Sequence, residues 1–452
     1  SKDKILSYYA SNAPFGGNVV GLDAASWRYY GRNANKLSWA ESATLAVLPN
    51  APSLIFPGKN HKKLLTKRNR LLDKLYHKNI IDSLTCEISK EEPLPQKPLR
   101  LPNIAAHLHN QIIKDHKGKR VKTTLDRFLQ EKTNTIIKNH NFQLKHNEVH
   151  NAAAIIIEVE TGNVLAYVGN TSGSNKHGNK VDVIQSPRST GSILKPILYA
   201  SMLSDGDILP NTLINDVPTK IAGYTPKNYN LKYTGVVPAK KALSRSLNVP
   251  IIKMLQNYGL PKFHHRLQKL NLKHINKPSN HYGLTIVLGG AESSLWDITN
   301  VYTNFSRTLN HFEKYNSKYN LNDYHPHNYL ANTKKLSEKI EDFNTLSAAS
   351  IYLTYQAMLE VNRPQEDANW QYFSGNNKVA WKTGTSFGFR DAWAVGTTPK
   401  YVVGVWVGNA DGEGRPGLTG IGAAAPILFD IFNLLPNNKW FSPPYDELAK
   451  IP

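Results

Sequence analysis

Gly191-Ser192-Ile193-Leu194-Lys195-Pro196-Ile197-Leu198-Tyr199-Ala200 places a loop-ending glycine, a nucleophile, an amine and a helix start side by side. The apolar spacing from Ile197 predicts a helix, and Pro196 is tolerated only in a first helical turn. Ser192 is therefore expected at the helix start, with Lys195 on the same face one turn later. A serine hydroxyl is inert until a base removes its proton, and this spacing sets an amine within reach of it. The helix N-terminus adds partial positive charge where an oxyanion would form. Alone, Ser-x-x-Lys says little, since Ser1 and Lys4 repeat it and most such pairs are exposed helix surface.

Two further elements follow in order. Ser246-Leu247-Asn248 puts a hydroxyl and an amide two residues apart, able to shuttle a proton and hold a peptide carbonyl. Ser374-Gly375-Asn376 has the same pattern but lies in a Gly/Asn loop just before the third element, and is discounted. Lys382-Thr383-Gly384-Thr385 occurs once, after the strand-like Val379-Ala380-Trp381. Two hydroxyls and an ammonium offer a seat for a carboxylate, and Gly384 would let a substrate backbone lie against the strand. Each element by itself also fits an ordinary helix or turn; the three in this order carry the weight.

Around them, Ala152 to Val159 and Val164 to Val168 flank Thr161-Gly162 as a hairpin. A second strand group comprises 379–381, 392–395 and 401–407, with residues 192–310 mostly helical. Strands at both ends with helices between them predict an α+β domain whose sheet joins segments distant in sequence. Residues 1–80 read as helical. Ser38 and Glu41 form a capping box, and Pro49-Asn50-Ala51-Pro52 ends the helix that follows. A basic helix around Lys62, Lys67, Arg70 and Lys74 reads as a solvated face over a leucine stripe. Pro93, Pro95, Pro98 and Pro102 mark a linker, and Leu125, Leu129 and Ile136-Ile137 lie on an amphipathic helix.

The 452 residues are 40% hydrophobic and 10% aromatic, which excludes general disorder. Fifty-five Lys and Arg against 34 acidic residues give a formal charge of +21, suited to an anionic partner or surface, or simply to solubility. One cysteine, Cys86, excludes an intramolecular disulfide and a cysteine-based zinc site. The His107/His109 and His325/His327 pairs read as surface residues rather than metal ligands. No run is long and apolar enough to span a bilayer.

The motif set Ser192-x-x-Lys195, Ser246-x-Asn248, Lys382-Thr383-Gly384 resembles the active-site-serine penicillin-binding proteins and β-lactamases. Thr123-Thr124-Leu125-Asp126-Arg127 and Tyr282-Gly283-Leu284-Thr285-Ile286-Val287-Leu288-Gly289-Gly290 extend the likeness to class A penicillin-binding proteins. Ala13-Pro14-Phe15-Gly16-Gly17 and Ala24-Ala25-Ser26-Trp27 resemble late blocks of that family's glycosyltransferase domain, with wording nearest the 1C type. The resemblance implies the penicillin-binding transpeptidase fold, an antiparallel sheet flanked by helices plus a helical subdomain, over residues 151–452. It also implies an incomplete glycosyltransferase part over 1–92 and a linker region over 93–150.

The resemblance further implies a peptidoglycan D,D-transpeptidase acting on stem peptides ending in D-Ala-D-Ala and blocked by β-lactams. Lys195 would take the proton of Ser192, and backbone N–H groups of Ser192 and Thr385 would form the oxyanion hole. Ser246, linked to a charged Lys382, would pass a proton to the leaving D-Ala. Thr383 and Thr385 would hold the terminal carboxylate, and Asn248 the donor amide. No cofactor, metal or nucleic acid is implied; lipid II and the periplasmic face of the inner membrane are. The family's two polymerase glutamates, its membrane anchor and a C-terminal β-domain would lie outside residues 1–452, so glycan polymerisation is expected to be absent. The first helices are expected to leave Leu45 and Leu48 exposed. Ser7 stands where the family usually has Glu. Two other readings use the same motifs: a D,D-carboxypeptidase or β-lactamase, and a non-catalytic β-lactam-binding scaffold.

Overall fold

A computed structural model describes every residue except 101, 173–174, 222, 332, 334–336, 362–377 and 451–452. Ser374-Gly375-Asn376 lies outside the described residues. The chain divides into two units, Ser1–Asn103 and Ile104–Pro452.

The first unit is helical: α1 (Lys2–Asn12), α2 (Leu22–Tyr30), α3 (Trp39–Val47), α4 (His61–His77) and α5 (Ser83–Glu91). The capping box forms, with Glu41 N–H donating to Ser38 Oγ at 3.1 Å and Ser38 N–H to Glu41 Oε2 at 2.9 Å. Glu41 also pairs with Arg32, so its carboxylate serves the helix start. Leu45 and Leu48 are buried, against the expectation of exposure, in a core with Phe15, Tyr29, Ile55 and Leu64. Burial of a leucine stabilises by about 1.5–3 kcal/mol, and α2, α3, α4 and the segments between them close around these two. Apolar exposure falls instead on α1, where Ile5, Leu6, Tyr8 and Tyr9 face solvent.

The second unit is built on an antiparallel sheet in the order β2-β1-β11-β10-β9. Its strands are β1 (Asn151–Glu158), β2 (Val164–Val168), β9 (Ala380–Thr385), β10 (Asp391–Thr397) and β11 (Tyr401–Gly408). β1 pairs with β11 from Asn151↔Gly408 to Glu158↔Tyr401, so the distant strand groups do form one sheet. Ala153, Ile155 and Ile157 enter one core while Ala152, Ala154 and Ile156 enter another. Both faces are covered, which explains a continuous apolar run in place of alternation.

One face carries α8 (Lys195–Ser204), α9 (Ala239–Ser244), α10 (Asn248–Tyr258), α11 (Leu260–Lys269), α12 (Ser279–Tyr282), α13 (Leu295–Lys314) and α14 (Ala348–Leu359). The other carries α7 (Arg127–Leu144) and α15 (Ala425–Phe432). With α6 (Ala106–His116), α7 places most of the stretch read as a linker inside this unit. The side chain of Gln130 bonds both backbone groups of Tyr167, which fastens α7 to β2. Short pairs complete the unit: β3 (Arg188–Ser189) with β6 (Glu292–Ser293), β4 (Leu213–Asp216) with β5 (Gly235–Pro238), and β7 (Tyr319–Asn320) with β8 (Ile340–Glu341). Among the described residues no helix is long and apolar enough to cross a membrane, and no cluster of ligating side chains fits a metal ion.

Candidate active site

α8 begins at Lys195, three residues later than the spacing predicts. Pro196 has no N–H to return to the Ser192 carbonyl, so Lys195 N–H bonds that carbonyl at 3.3 Å in a tighter turn. Ser192 thus sits half-buried in the turn preceding the helix. Gly191 has φ +51°, and a Cβ there would lie 2.6–2.7 Å from the backbone N, C and O of Thr385. That contact brings the Ser192 turn onto the end of β9.

Gly384 explains itself differently from the sequence reading. Its missing side chain makes room for the chain's own Thr190, whose carbonyl would lie 2.7 Å from a Cβ. β9 is the sheet's edge strand, so one row of its backbone groups is left without a partner strand. Thr385 Oγ1 accepts from Gly420 N–H at 3.0 Å, which leaves its hydroxyl hydrogen available to a ligand.

Ser246 occupies an unusual backbone position. Its N–H bonds the Leu243 carbonyl and Leu247 N–H bonds the Ala242 carbonyl, each at 2.9 Å. This is a Schellman closure of α9 with Ser246 at the left-handed position, φ +53°, where glycine is usual. The bend aims the Ser246 hydroxyl between the two motif lysines. Lys382 Nζ donates to it at 2.9 Å and Lys195 Nζ approaches it at 3.4 Å.

Lys195 is fully buried. Its amine donates to the Ser246 carbonyl at 2.8 Å and to Asn248 Oδ1 at 2.7 Å, with Leu247 O at 3.4 Å. Ser192 Oγ is not among its bonded partners. Burial, then the charge of Lys382, holds the Lys195 pKa well below the ordinary lysine value. A neutral amine has two N–H donors, which the two close acceptors use, and one lone pair that stays free to take a proton.

Lys382 is equally buried, with Ser246 Oγ and the Thr383 carbonyl at 2.7 Å as its partners. Burial lowers it to about 7. The sequence predicts that Lys382 stays charged; with no acidic partner among the described residues, burial works against that charge.

The structure therefore gathers Ser192, Lys195, Ser246, Asn248 and Lys382–Thr385 at one end of the sheet. It also adds groups the motifs do not reveal: Gly191 and Gly420 packed on β9, and Asn228, which accepts from the N–H groups of Asn248 and Val249 at 2.9 and 3.2 Å. Asn228 lies in Pro226-Lys227-Asn228-Tyr229-Asn230, outside the three motifs.

Among known families, the penicillin binding protein transpeptidase domain matches residues 152–433, more than half of the chain. The chain belongs to that family. The transglycosylase family matches residues 1–76. Penicillin-binding protein 1C of Escherichia coli strain K12 is 31% identical over 437 residues, which cover 96% of this chain and 54% of the relative. Penicillin-binding protein 1B of Haemophilus influenzae is 27% identical, covering 96% and 57%. The chain spans about half the length of the curated relatives it matches. The crystal structure of penicillin-binding protein 1A from Haemophilus influenzae superposes with TM-score 0.67 at 17% identity, covering 98% of this chain and 87% of that one. The Mycobacterium tuberculosis PonA1 protein, solved in complex with penicillin V, gives TM-score 0.56 at 19% identity, covering 85% and 96%. These two neighbours establish the penicillin-binding fold.

Proposed function

We propose that this chain is a serine D,D-transpeptidase that cross-links peptidoglycan stem peptides ending in D-Ala-D-Ala. The observation that carries this reading is the buried Lys195 amine, which two close acceptors orient and burial holds toward its neutral form. Ser192 Oγ attacks the penultimate carbonyl carbon while its proton passes to the Lys195 lone pair. The oxyanion is received by the N–H groups of Ser192 and Thr385, which the Gly191 contact supports. The C–N bond then breaks, and Ser246 delivers a proton to the departing D-Ala nitrogen. An amine from a second strand attacks the carbonyl carbon of the Ser192 ester and loses a proton to the same relay, the bond to Ser192 Oγ breaks, and Oγ regains that proton as the cross-link forms.

Thr383, Thr385 and protonated Lys382 receive the terminal carboxylate, and the free N–H of the Asn248 amide receives the donor peptide carbonyl. β-Lactams enter by the same route and remain as an ester on Ser192. Residues 1–92 belong to a glycosyltransferase part of a bifunctional, membrane-anchored protein on the periplasmic face of the inner membrane, where lipid II is the polymerising substrate. The test is product analysis with a D-Ala-D-Ala pentapeptide and a glycyl or diaminopimelyl amine acceptor. Cross-linked peptide with release of D-Ala is expected. Release of D-Ala with only hydrolysed peptide, at saturating acceptor, would replace the transferase with a carboxypeptidase.

A further inference from the structure

Behind Asn248 lies a chain of hydrogen bonds that ends on a buried acid. Asp216, at the end of β4, is fully buried. Its Oδ1 accepts from Asn228 Nδ2 at 2.7 Å, and its Oδ2 from Thr234 N–H and Oγ, each at 3.0 Å. Asn228, 1% exposed, donates a second time to the Lys232 carbonyl at 2.9 Å. Its Oδ1 takes the Asn248 and Val249 N–H groups, two of the donors that the start of α10 leaves unpaired. The four bonds of Asn228 use its whole amide. The next link is Asn248 itself. Its Nδ2 donates to the Lys227 carbonyl at 2.8 Å, which settles the orientation of that amide and turns Oδ1 toward Lys195.

We infer that Asp216 and Asn228 are positioning residues for the Lys195–Asn248 pair, fixing the base of the acyl transfer through the start of α10. The inference rests on the acyl-transfer reading above. Among the described residues no carboxylate orients Lys195, and its direction is set by the Ser246 and Leu247 carbonyls and Asn248 Oδ1. Asn248 in turn has its backbone held by Asn228 and its amide held by Lys227, both in the connection between β4 and β5. The Asp216↔Gly235 pair closes that connection, and the bonds from Thr234 and Asn228 to Asp216 draw its two sides together. Loosening Asp216 frees Asn228, then the first turn of α10, then the acceptor that aims the amine.

The test uses the chain with Asp216→Asn, Asn228→Asp and the double exchange Asp216→Asn/Asn228→Asp. Asn228→Asp sets two acceptors against each other at the 2.7 Å link, and Asp216→Asn sets an amide NH2 against a donor, either Asn228 Nδ2 or the Thr234 N–H. The double exchange restores a donor facing an acceptor there while still offering oxygens to Thr234, Asn248 and Val249. The readout is the acylation rate by a fluorescent penicillin against its concentration. Both singles are expected to acylate at least tenfold more slowly than the parent, and the double to recover most of that loss. In the singles the loss should fall on the first-order acylation step, with non-covalent affinity for the penicillin within about twofold of the parent's, a split that a merely structural loss does not produce.

Singles that match the parent, a double no faster than the singles, or singles whose loss lies in affinity alone would each overturn the inference. If one single variant does not fold, the rate and affinity of the other single decide. A parent that penicillin never acylates contradicts the acyl-transfer reading instead, so the two failures are distinct.

Discussion

Ser246→Gly and Ser246→Ala delete the same hydroxyl but meet the backbone differently. At φ +53° an L-residue pays a left-handed penalty, about 1–2 kcal/mol, while glycine loses about 0.5–1 kcal/mol through its freer unfolded chain. The glycine variant should therefore be the more stable of the two by about 0.5–1 kcal/mol. For a unit of about 350 residues unfolding with ~2.1 cal/mol/K per residue, that is roughly 1 °C in Tm. Loss of the Lys382 contact is common to both and cancels. Acylation by penicillin should drop by a similar factor in both, about 100-fold or more, because neither can relay a proton. Differential scanning calorimetry of the two proteins, with stopped-flow acylation in parallel, makes the comparison. An alanine variant as stable as the glycine variant would refute the strain argument, and a glycine variant that acylates like the parent would refute the relay.

Three other outcomes follow from the same geometry. Lys195→Ala should slow acylation by every β-lactam about 100- to 10,000-fold with little change in non-covalent affinity; a loss confined to affinity would contradict its role as base. Burial lowers Lys382 to about 7 and it attracts a carboxylate only when protonated, so the second-order acylation rate should decline as pH rises above about 7. That decline should vanish in Lys382→Ala, and a surviving limb would assign it elsewhere. For stability, burial opposes protonation of His311, but hydrogen bonds to Asp323 and Glu160 push it up to about 9. With an unfolded pKa of about 6.5, its contribution is fully present below that pH and is lost as pH rises through about 9. His311→Gln should remove this part of the pH dependence, read as the difference in Tm between variant and parent from pH 6 to 9.5; an unchanged difference would contradict the ion pair.

The three motifs are legible in the sequence because each one's spacing reflects a local geometry. Ser192 and Lys195 share one turn, Ser246 and Asn248 straddle one helix junction, and Lys382–Thr385 lies on one strand. The hairpin at 151–168 is equally local. That one sheet joins the two strand groups followed from the argument that they must meet, while its order stayed hidden, since β1 pairs with β11 across most of the unit. What stayed hidden depends on contacts between distant segments. Leu45 and Leu48 have the same pattern whether a helix face is covered or bare, and only the fold reveals Phe15 and Ile55 upon them. Gly384 looks like a substrate groove until Thr190 is seen against it. The lowered Lys382 comes from burial alone, which no motif encodes. Ser246 gives no sign of a left-handed backbone, because serine is an ordinary residue in an ordinary helix-like run. Asn228 bonds a helix start 20 residues on, and Asp216 reaches it only through Asn228.

The central claim is that Ser192 is the nucleophile, and intact-protein mass measurement after penicillin exposure, followed by peptide mapping, tests it most directly. The account predicts one covalent equivalent of penicillin on the peptide containing Ser192 and none on Ser192→Ala. Labelling that persists in Ser192→Ala, or that maps to any other residue, would contradict it.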